Sequence, residues 1–424
     1  MTRPLHLAMV TTFYPPYHFG GDAVYLQRLC WELAERGHRV DVIHNPDAYR
    51  LLGGSEPTRP GHSHPNITIH PLTSRSPLFA NLVMQQTGTP GPFSRQLASL
   101  LERDLDVIHF HNVSLAGGPT VLTYGSACKL YTTHEYWLVC PTHVLFRMNR
   151  EACARRTCLA CQLAYRRPPQ LWRYGGLLER CAREVDLFLA PSQFAAAAHR
   201  ERGLDVPMVQ LNHPGPQPAP PAERNSHSPP YFLYVGRLEY LKGVHTLLPL
   251  FQRRRELQLW IVGTGTQEPE LRRLIGSSSN VRLLGWTDHR ELEGLYRNAI
   301  ALLVPSLCYE VQSLVPLEAF QQATPVIARD IGALSEVIAA SGGGLLYRTE
   351  QELEEAIGRL HADPALREEL GQKGQQAYLA HWTPEAHLSR YLQLVDQLLA
   401  SRSGPTAHAA ASPATSLGST GDTP

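Results

Sequence analysis

Short apolar segments alternate with helical stretches along this chain, and the alternation runs twice, on either side of a proline-rich gap. Residues 5–12 are one such apolar segment, and a loop with Pro15, Pro16, Gly20 and Gly21 follows. Val24, Leu29 and Leu33 then share one helical face, with Asp22 placed to cap the helix. Gly37 ends that helix, and residues 40–44 return as a strand. A βαβ unit of this kind demands parallel strands with helices on both faces of the sheet. Further strands are expected at 67–72, 107–110, 129–133, 187–190 and 208–211. Residues 213–230 combine proline and polar residues without apolar period, and read as a linker. The alternation restarts with strands expected at 231–235, 258–262, 281–284, 300–304, 326–328 and 345–347. The expected organisation is two α/β domains, 1–212 and 231–382. A closing helix, 383–400, packs back towards the first domain, and a disordered tail covers 401–424.

Composition removes several function classes. The 39 basic and 38 acidic residues leave a net charge of +1, so no basic excess exists to coat nucleic acid. No apolar run reaches the roughly 18 residues of a membrane-spanning helix. Residues 1–10 lack the long apolar core of a secretory signal. The expected location is the cytoplasm, with the inner membrane face as a candidate peripheral site.

Parallel sheets bind ligands beyond the carboxyl ends of their strands. Gly236, Arg237 and Leu238 end the second domain's first strand, and Lys242-Gly243 is expected to open the next helix. Two cations beside a helix N-terminus suit a diphosphate, whose charge they offset. Surface solvation of both cations is the plainer reading of that loop alone. Glu310 and Glu318 flank a helix start at Ser313 and Leu314, where free backbone N–H groups and carboxylates can meet sugar or ribose hydroxyls. Asp104 and Asp106 formally spell a metal–diphosphate signature, but they precede an apolar strand, which favours a solvated and a strand-starting role.

In this order, Gly236-Arg237, Lys242-Gly243, Glu310/Glu318, Pro325-Val326 and Gly332 to Glu336 resemble the retaining GT-B glycosyltransferases, specifically glycosyltransferase family four. Tyr14-Pro15-Pro16, Gly20-Gly21, Gly37-His38 and Asp106 to His109 extend the resemblance into the first half. It implies two Rossmann-like domains, with parallel sheets facing a central cleft, and a nucleotide-diphosphate sugar donor carrying UDP or GDP. The acceptor would be a sugar, a lipid-linked sugar or a small molecule. By the same resemblance, Arg237 and Lys242 would hold the diphosphate, Glu310 the transferred sugar and Glu318 the ribose. Gly263 and Gly285 would line the nucleotide, and Gly20 and Gly21 would let the first-domain backbone approach it. His134, in Thr133-His134-Glu135, would face the sugar, with His111 second and Glu135 standing where the family usually has Asp. Ala323 stands where many relatives have Gly. Catalysis would need no cofactor. A nucleotide-sugar epimerase and a non-catalytic binding or metal-sensing scaffold are the alternatives.

Four of the eight cysteines, Cys140, Cys153, Cys158 and Cys161, crowd one segment. Four thiolates suit tetrahedral zinc. An iron–sulfur cluster, a labile disulfide and four reduced thiols remain alternatives. The His134 to Pro141 stretch resembles family members with a cysteine-rich insert. The arginine-rich residues 147–184 read as a solvated face, or as a patch for anionic lipid or an acceptor phosphate.

Overall fold

A computed structural model describes residues 3–57, 63–218 and 230–402. In chain order, the first half supplies β1 (His6–Val10), β2 (Arg39–His44), β3 (Ile67–Pro71), β4 (Val107–Phe110) and β5 (Cys128–Thr132). The short pair β6 (Phe146–Arg147) and β7 (Glu151–Ala152) follows, then β8 (Leu187–Ala190) and β9 (Met208–Gln210). β6 and β7 form their own antiparallel hairpin. The other seven form one parallel sheet in the order β3-β2-β1-β4-β5-β8-β9. The second half supplies β10 (Tyr231–Val235), β11 (Gln258–Val262), β12 (Val281–Gly285), β13 (Leu302–Val304), β14 (Val326–Arg329) and β15 (Gly344–Tyr347). They form a six-stranded parallel sheet in the order β12-β11-β10-β13-β14-β15.

The central strands are mostly apolar because helices cover both faces. Leu7, Met9 and Val10 of β1 are fully buried, as are Phe232 and Leu233 of β10. In each sheet the strand order reverses beside its first strand, between β1 and β4 and between β10 and β13. Such switch points open a crevice at the carboxyl edge.

The last helix, Pro384–Arg402, leaves the second domain and packs on the first. Its Leu388, Tyr391, Leu394 and Val395 are buried with Leu5, Leu7, Leu33 and Leu130. The helix runs two residues into the expected tail, and Arg402 pairs with Asp186 at 2.8 Å. The rest of that tail, 403–424, lies outside the described residues. So does 219–229 of the expected linker, whose start is well packed: His213 is buried and the Gly215 N–H donates to Trp382 O at 2.8 Å.

Two helix expectations are corrected. The first helix, Gly21–Glu35, starts after the extended Gly20, and Asp22 lies in its first turn without capping it. Lys242-Gly243 opens no α-helix. Tyr240–Lys242 and Val244–Thr246 are separate 3₁₀ turns hinged at Gly243, and the α-helix begins at Leu248. Gly243 has φ +73°, and a Cβ there would lie 2.1 Å from Pro305 O. The β13 loop therefore seats directly on this backbone, and no other residue type fits.

Ala323 occupies the turn before β14 with φ +53°, left-handed backbone that an L side chain enters at a cost of about 1–2 kcal/mol. Ala323→Gly should relieve most of this strain, offset in part by the freer unfolded glycine. The expected gain is about 0.5–1 kcal/mol, read as a higher urea midpoint at constant slope. A lower midpoint would mean that the methyl group contributes more through packing than it costs in backbone strain.

Candidate active site

The carboxyl edges of the two sheets face each other across a cavity of about 430 Å³. The chain continues from the ends of β10 and β13 into Gly236, Arg237, Lys242, Ser306 and Glu310 on one wall. From β5 and β9 it continues into His134, Glu135 and His213 on the other. Gly20, Gly21 and Asp22 close the first-domain side, and Gln312, Ser313 and Leu314 the second-domain side.

On the second-domain wall, Lys242 Nζ donates to Glu310 Oε1 at 2.9 Å and Ser306 Oγ donates to the same oxygen at 2.5 Å. The two charged side chains keep 23% and 10% of their exposure, so the pair is largely desolvated while the ammonium still reaches the cavity. Burial alone would raise the Glu310 carboxyl. The Lys242 charge and the hydroxyls of Ser306 and Ser313 outweigh it and hold the group below the ordinary carboxylate range. Burial likewise works against the Lys242 ammonium, and the Glu310 charge reverses that, so both groups stay ionised.

The first-domain wall is a chain of imidazoles. His111 Nδ1 lies 2.8 Å from His134 Nε2, and His134 Nδ1 lies 3.2 Å from His213 Nε2. Behind them, His109 bonds to Tyr391 at 3.1 Å and to Thr132 at 2.8 Å. Tyr25 stands amid the cluster and bonds to His387 at 3.0 Å, whose Nδ1 bonds to Asn212 O at 2.7 Å. The cluster thus runs from the cavity to the closing helix. Desolvation pushes His134 and His109 down to about 3 and His387 to about 4, with His111 and His213 also well below their ordinary value. The rings are neutral at pH 7.

Of the residues expected at the site, Gly20, Gly21, His134, Glu135, Gly236, Arg237, Lys242, Glu310, Ser313 and Leu314 line this cavity. His111 stands one ring behind the wall, and both ring nitrogens of His134 are engaged by neighbouring imidazoles. Glu135 accepts from His143 Nδ1 at 2.9 Å. Glu318 lies off the cavity and accepts from the Tyr296 hydroxyl at 2.5 Å. Gly263 packs under Gly236, where a Cβ would meet Gly236 O at 2.0 Å, and Gly285 ends β12. Asp106 binds Arg3 and the His6 N–H at the amino end of β4.

His213, Gln312, Ser306, Asn112 and Asp22 line the cavity unforeseen. His213 follows a strand end as His111 and His134 do, but the proline-rich context masks it. Gln312 grips it, accepting from His213 N at 2.7 Å and donating to His213 O at 3.1 Å. Glu336 is a second clamp. Its carboxylate accepts the Gln193 and Phe194 N–H groups at 3.0 and 2.9 Å, at the start of the first-domain helix Gln193–Glu201. That places a negative charge on a positive helix end.

The model of the glycosyltransferase family four matches residues 19–215, and that of the glycosyl transferases group 1 matches 218–377. The chain belongs to this glycosyltransferase family, and its fold is GT-B. Glycogen synthase of Mycobacterium tuberculosis H37Rv is 34% identical over 167 residues, 37% of this chain and 39% of that protein. The lipopolysaccharide core biosynthesis glycosyltransferase LpsE of Rhizobium meliloti is 29% identical over 171 residues, 39% of this chain and 49% of that protein. The chain thus aligns with less than half the length of these curated relatives. Sucrose-phosphate synthase of Thermosynechococcus elongatus superposes with a TM-score of 0.70 at 21% identity, covering 94% of this chain and all of that one. Anabaena Alr3699/HepE in complex with UDP-glucose superposes at 0.63 with 16% identity, covering 94% of this chain and all of that one.

Unfolding would return each buried imidazole to its ordinary proton affinity near 6.5, so acid favours the unfolded chain. The folded-state values are depressed, so this stability is present above pH 6.5 and falls as pH drops towards 4. The loss is up to about 1.4 kcal/mol per pH unit for each ring. Urea unfolding at pH 7.5 and pH 5 should show a steep loss for the native chain and a smaller one for His109→Gln. Equal losses in the two proteins would mean that His109 is not held neutral.

Proposed function

We propose that the chain is a retaining glycosyltransferase, moving a hexosyl group from a UDP- or GDP-sugar to an acceptor hydroxyl. The observation that carries this reading is the Lys242–Glu310 pair, with Arg237 beside it, facing the neutral imidazole wall across one cavity. A diphosphate is drawn to Lys242 and Arg237, which also offset the charge that grows on it as the glycosidic C–O bond breaks. Glu310, ionised and desolvated, supports the positive charge developing at the anomeric carbon. The acceptor oxygen bonds to that carbon on the face the diphosphate leaves, and its proton passes to the departing phosphate oxygen. The neutral His134 and His213 rings form a wall beside the sugar that adds no charge opposing the one developing there. HepE, whose structure holds UDP-glucose, supports the donor class. LpsE, named for lipopolysaccharide core synthesis, supports a cell-surface polysaccharide or glycolipid product.

Incubation with a panel of UDP- and GDP-sugars should release free nucleotide slowly without acceptor and faster with one. Lys242→Ala should reduce that release about 10²–10³-fold. Glu310→Gln should lower turnover with little change in donor affinity. Interconversion of the sugar without nucleotide release would instead identify an epimerase. Binding without turnover would identify a scaffold.

We also propose a lipid-linked acceptor and a peripheral membrane contact. Leu78, Phe79 and Leu82 are exposed on the helix Pro77–Thr87, near exposed Leu171 and Tyr174. Trp172 Nε1 donates to Gln85 O at 2.9 Å and ties the two segments together. Among the described residues no helix is long and apolar enough to cross a membrane, so attachment would be from one side. Sedimentation with anionic vesicles should retain the protein, and Phe79→Ser with Leu171→Ser should lower the bound fraction several-fold. An unbound native protein would point to a soluble acceptor.

A further inference from the structure

The segment between His134 and the helix Cys158–Ala164 is anchored by buried Tyr136, Trp137, Leu138, Leu145 and Phe146, but residues 147–157 fully bury no side chain. Its only regular structure is the β6–β7 hairpin, two residues per strand. Leu145, Met148 and Asn149 all carry positive φ, at +45°, +51° and +55°, so the backbone doubles back tightly with no glycine to ease it. Such a hairpin does not stand alone in water.

All four clustered cysteines lie around it and line one small cavity of about 20 Å³. Cys140 is buried at the close of the turn after Tyr136. Cys153 follows β7, and its N–H donates to Leu145 O at 2.8 Å across the hairpin. Cys158 and Cys161 stand one turn apart on the following helix, a spacing that puts both sulfurs on one face. The Met148 N–H donates to Cys161 Sγ at 3.3 Å, so the hairpin tip is wrapped around a sulfur. Thr157 Oγ1, on the same cavity wall, is buried without a hydrogen-bond partner. All four thiols are free.

We propose that Cys140, Cys153, Cys158 and Cys161 form a four-thiolate site for a single zinc ion that pins the hairpin beside the cleft. The cavity has room for about one water-sized body, which suits a single ion better than a multi-iron cluster. Four sulfur ligands around one ion are the tetrahedral set of structural zinc. Among the described residues no three His, Cys, Asp or Glu side chains stand, as placed, close enough together to hold an ion. Capture therefore involves the sulfurs closing in. A cysteine side chain repositions its sulfur by rotation about a single torsion. Each thiol releases its proton to solvent as its bond to the ion forms.

What the ion would hold in place is a wall of the cleft. His143 and Val144, at the root of the hairpin, line the large cavity. The Phe146 ring faces Tyr240 of the second domain at 6.4 Å, and the Tyr136 hydroxyl donates to Glu310 O at 3.2 Å. The zinc site is structural and shapes the acceptor side, whichever reaction the cleft performs.

The test uses the full chain, expressed with added zinc and purified without chelator. Elemental analysis should find about one zinc per chain. Titration with an organomercurial, with a chromogenic zinc indicator present, should release that zinc as roughly four thiols react. Removing the ion should speed proteolysis within residues 142–157 about tenfold, with the rest of the chain unaffected. The Cys158→Ser, Cys161→Ser double variant should purify without zinc. If it fails to fold, metal content and mercurial release of the native protein still decide the matter. Native protein free of metal, zinc unaffected by the mercurial, iron in place of zinc, or zinc retained by the double variant would each overturn the proposal.

Discussion

A helix that follows the second domain in sequence and packs on the first in space holds the two sheets edge to edge. Pro384–Arg402 buries Leu388, Tyr391, Leu394 and Val395 against a face of the first sheet and its first helix. At about 1.5–3 kcal/mol for each buried apolar side chain, this contact outweighs any single polar bridge between the domains. Tyr391 and His387 then reach through the core to His109 and Tyr25. The polar clamps at Glu336 and Gln312 set the angle of a contact whose energy comes from elsewhere. The cavity walls keep their spacing because this strap crosses back.

The cleft asks two opposite things of its walls. The second-domain wall keeps charge in a desolvated place, which is costly unless each ion is paired and hydrogen-bonded. Lys242, Glu310, Ser306 and Ser313 meet that condition together. The first-domain wall concentrates titratable rings and strips them of charge by burial. A negatively charged ligand therefore meets a cationic anchor on one side only, which orients it across the gap.

The strands were legible because parallel strands covered on both faces read as mostly apolar runs, and all thirteen in the two sheets fall within two residues of their expected ends. The β6–β7 hairpin was not, since two-residue strands leave no period to read. The break at Gly243 follows from a backbone contact with Pro305 that no local pattern encodes. Arg237, Lys242 and Glu310 could be singled out because each follows an apolar strand, and His134 through the family resemblance. His213 was hidden by the prolines after it, and Asp22 by its resemblance to a helix cap. Glu318 lies off the cavity lining, and one of its carboxylate oxygens accepts from the Tyr296 hydroxyl.

The three linked rings of His111, His134 and His213 have a consequence that concerns direction. Each neutral imidazole carries one proton, and the two bonds between them use four of the six nitrogens. With one proton in each link, only two arrangements remain. Either His213 Nδ1 is a donor and His111 Nε2 an acceptor, or the reverse holds. Both terminal nitrogens are buried and lack a partner in the protein. The polarity at one end therefore fixes that at the other, some three rings away, without any change in net charge. The wall has two settings of equal charge that differ only in which way its protons point.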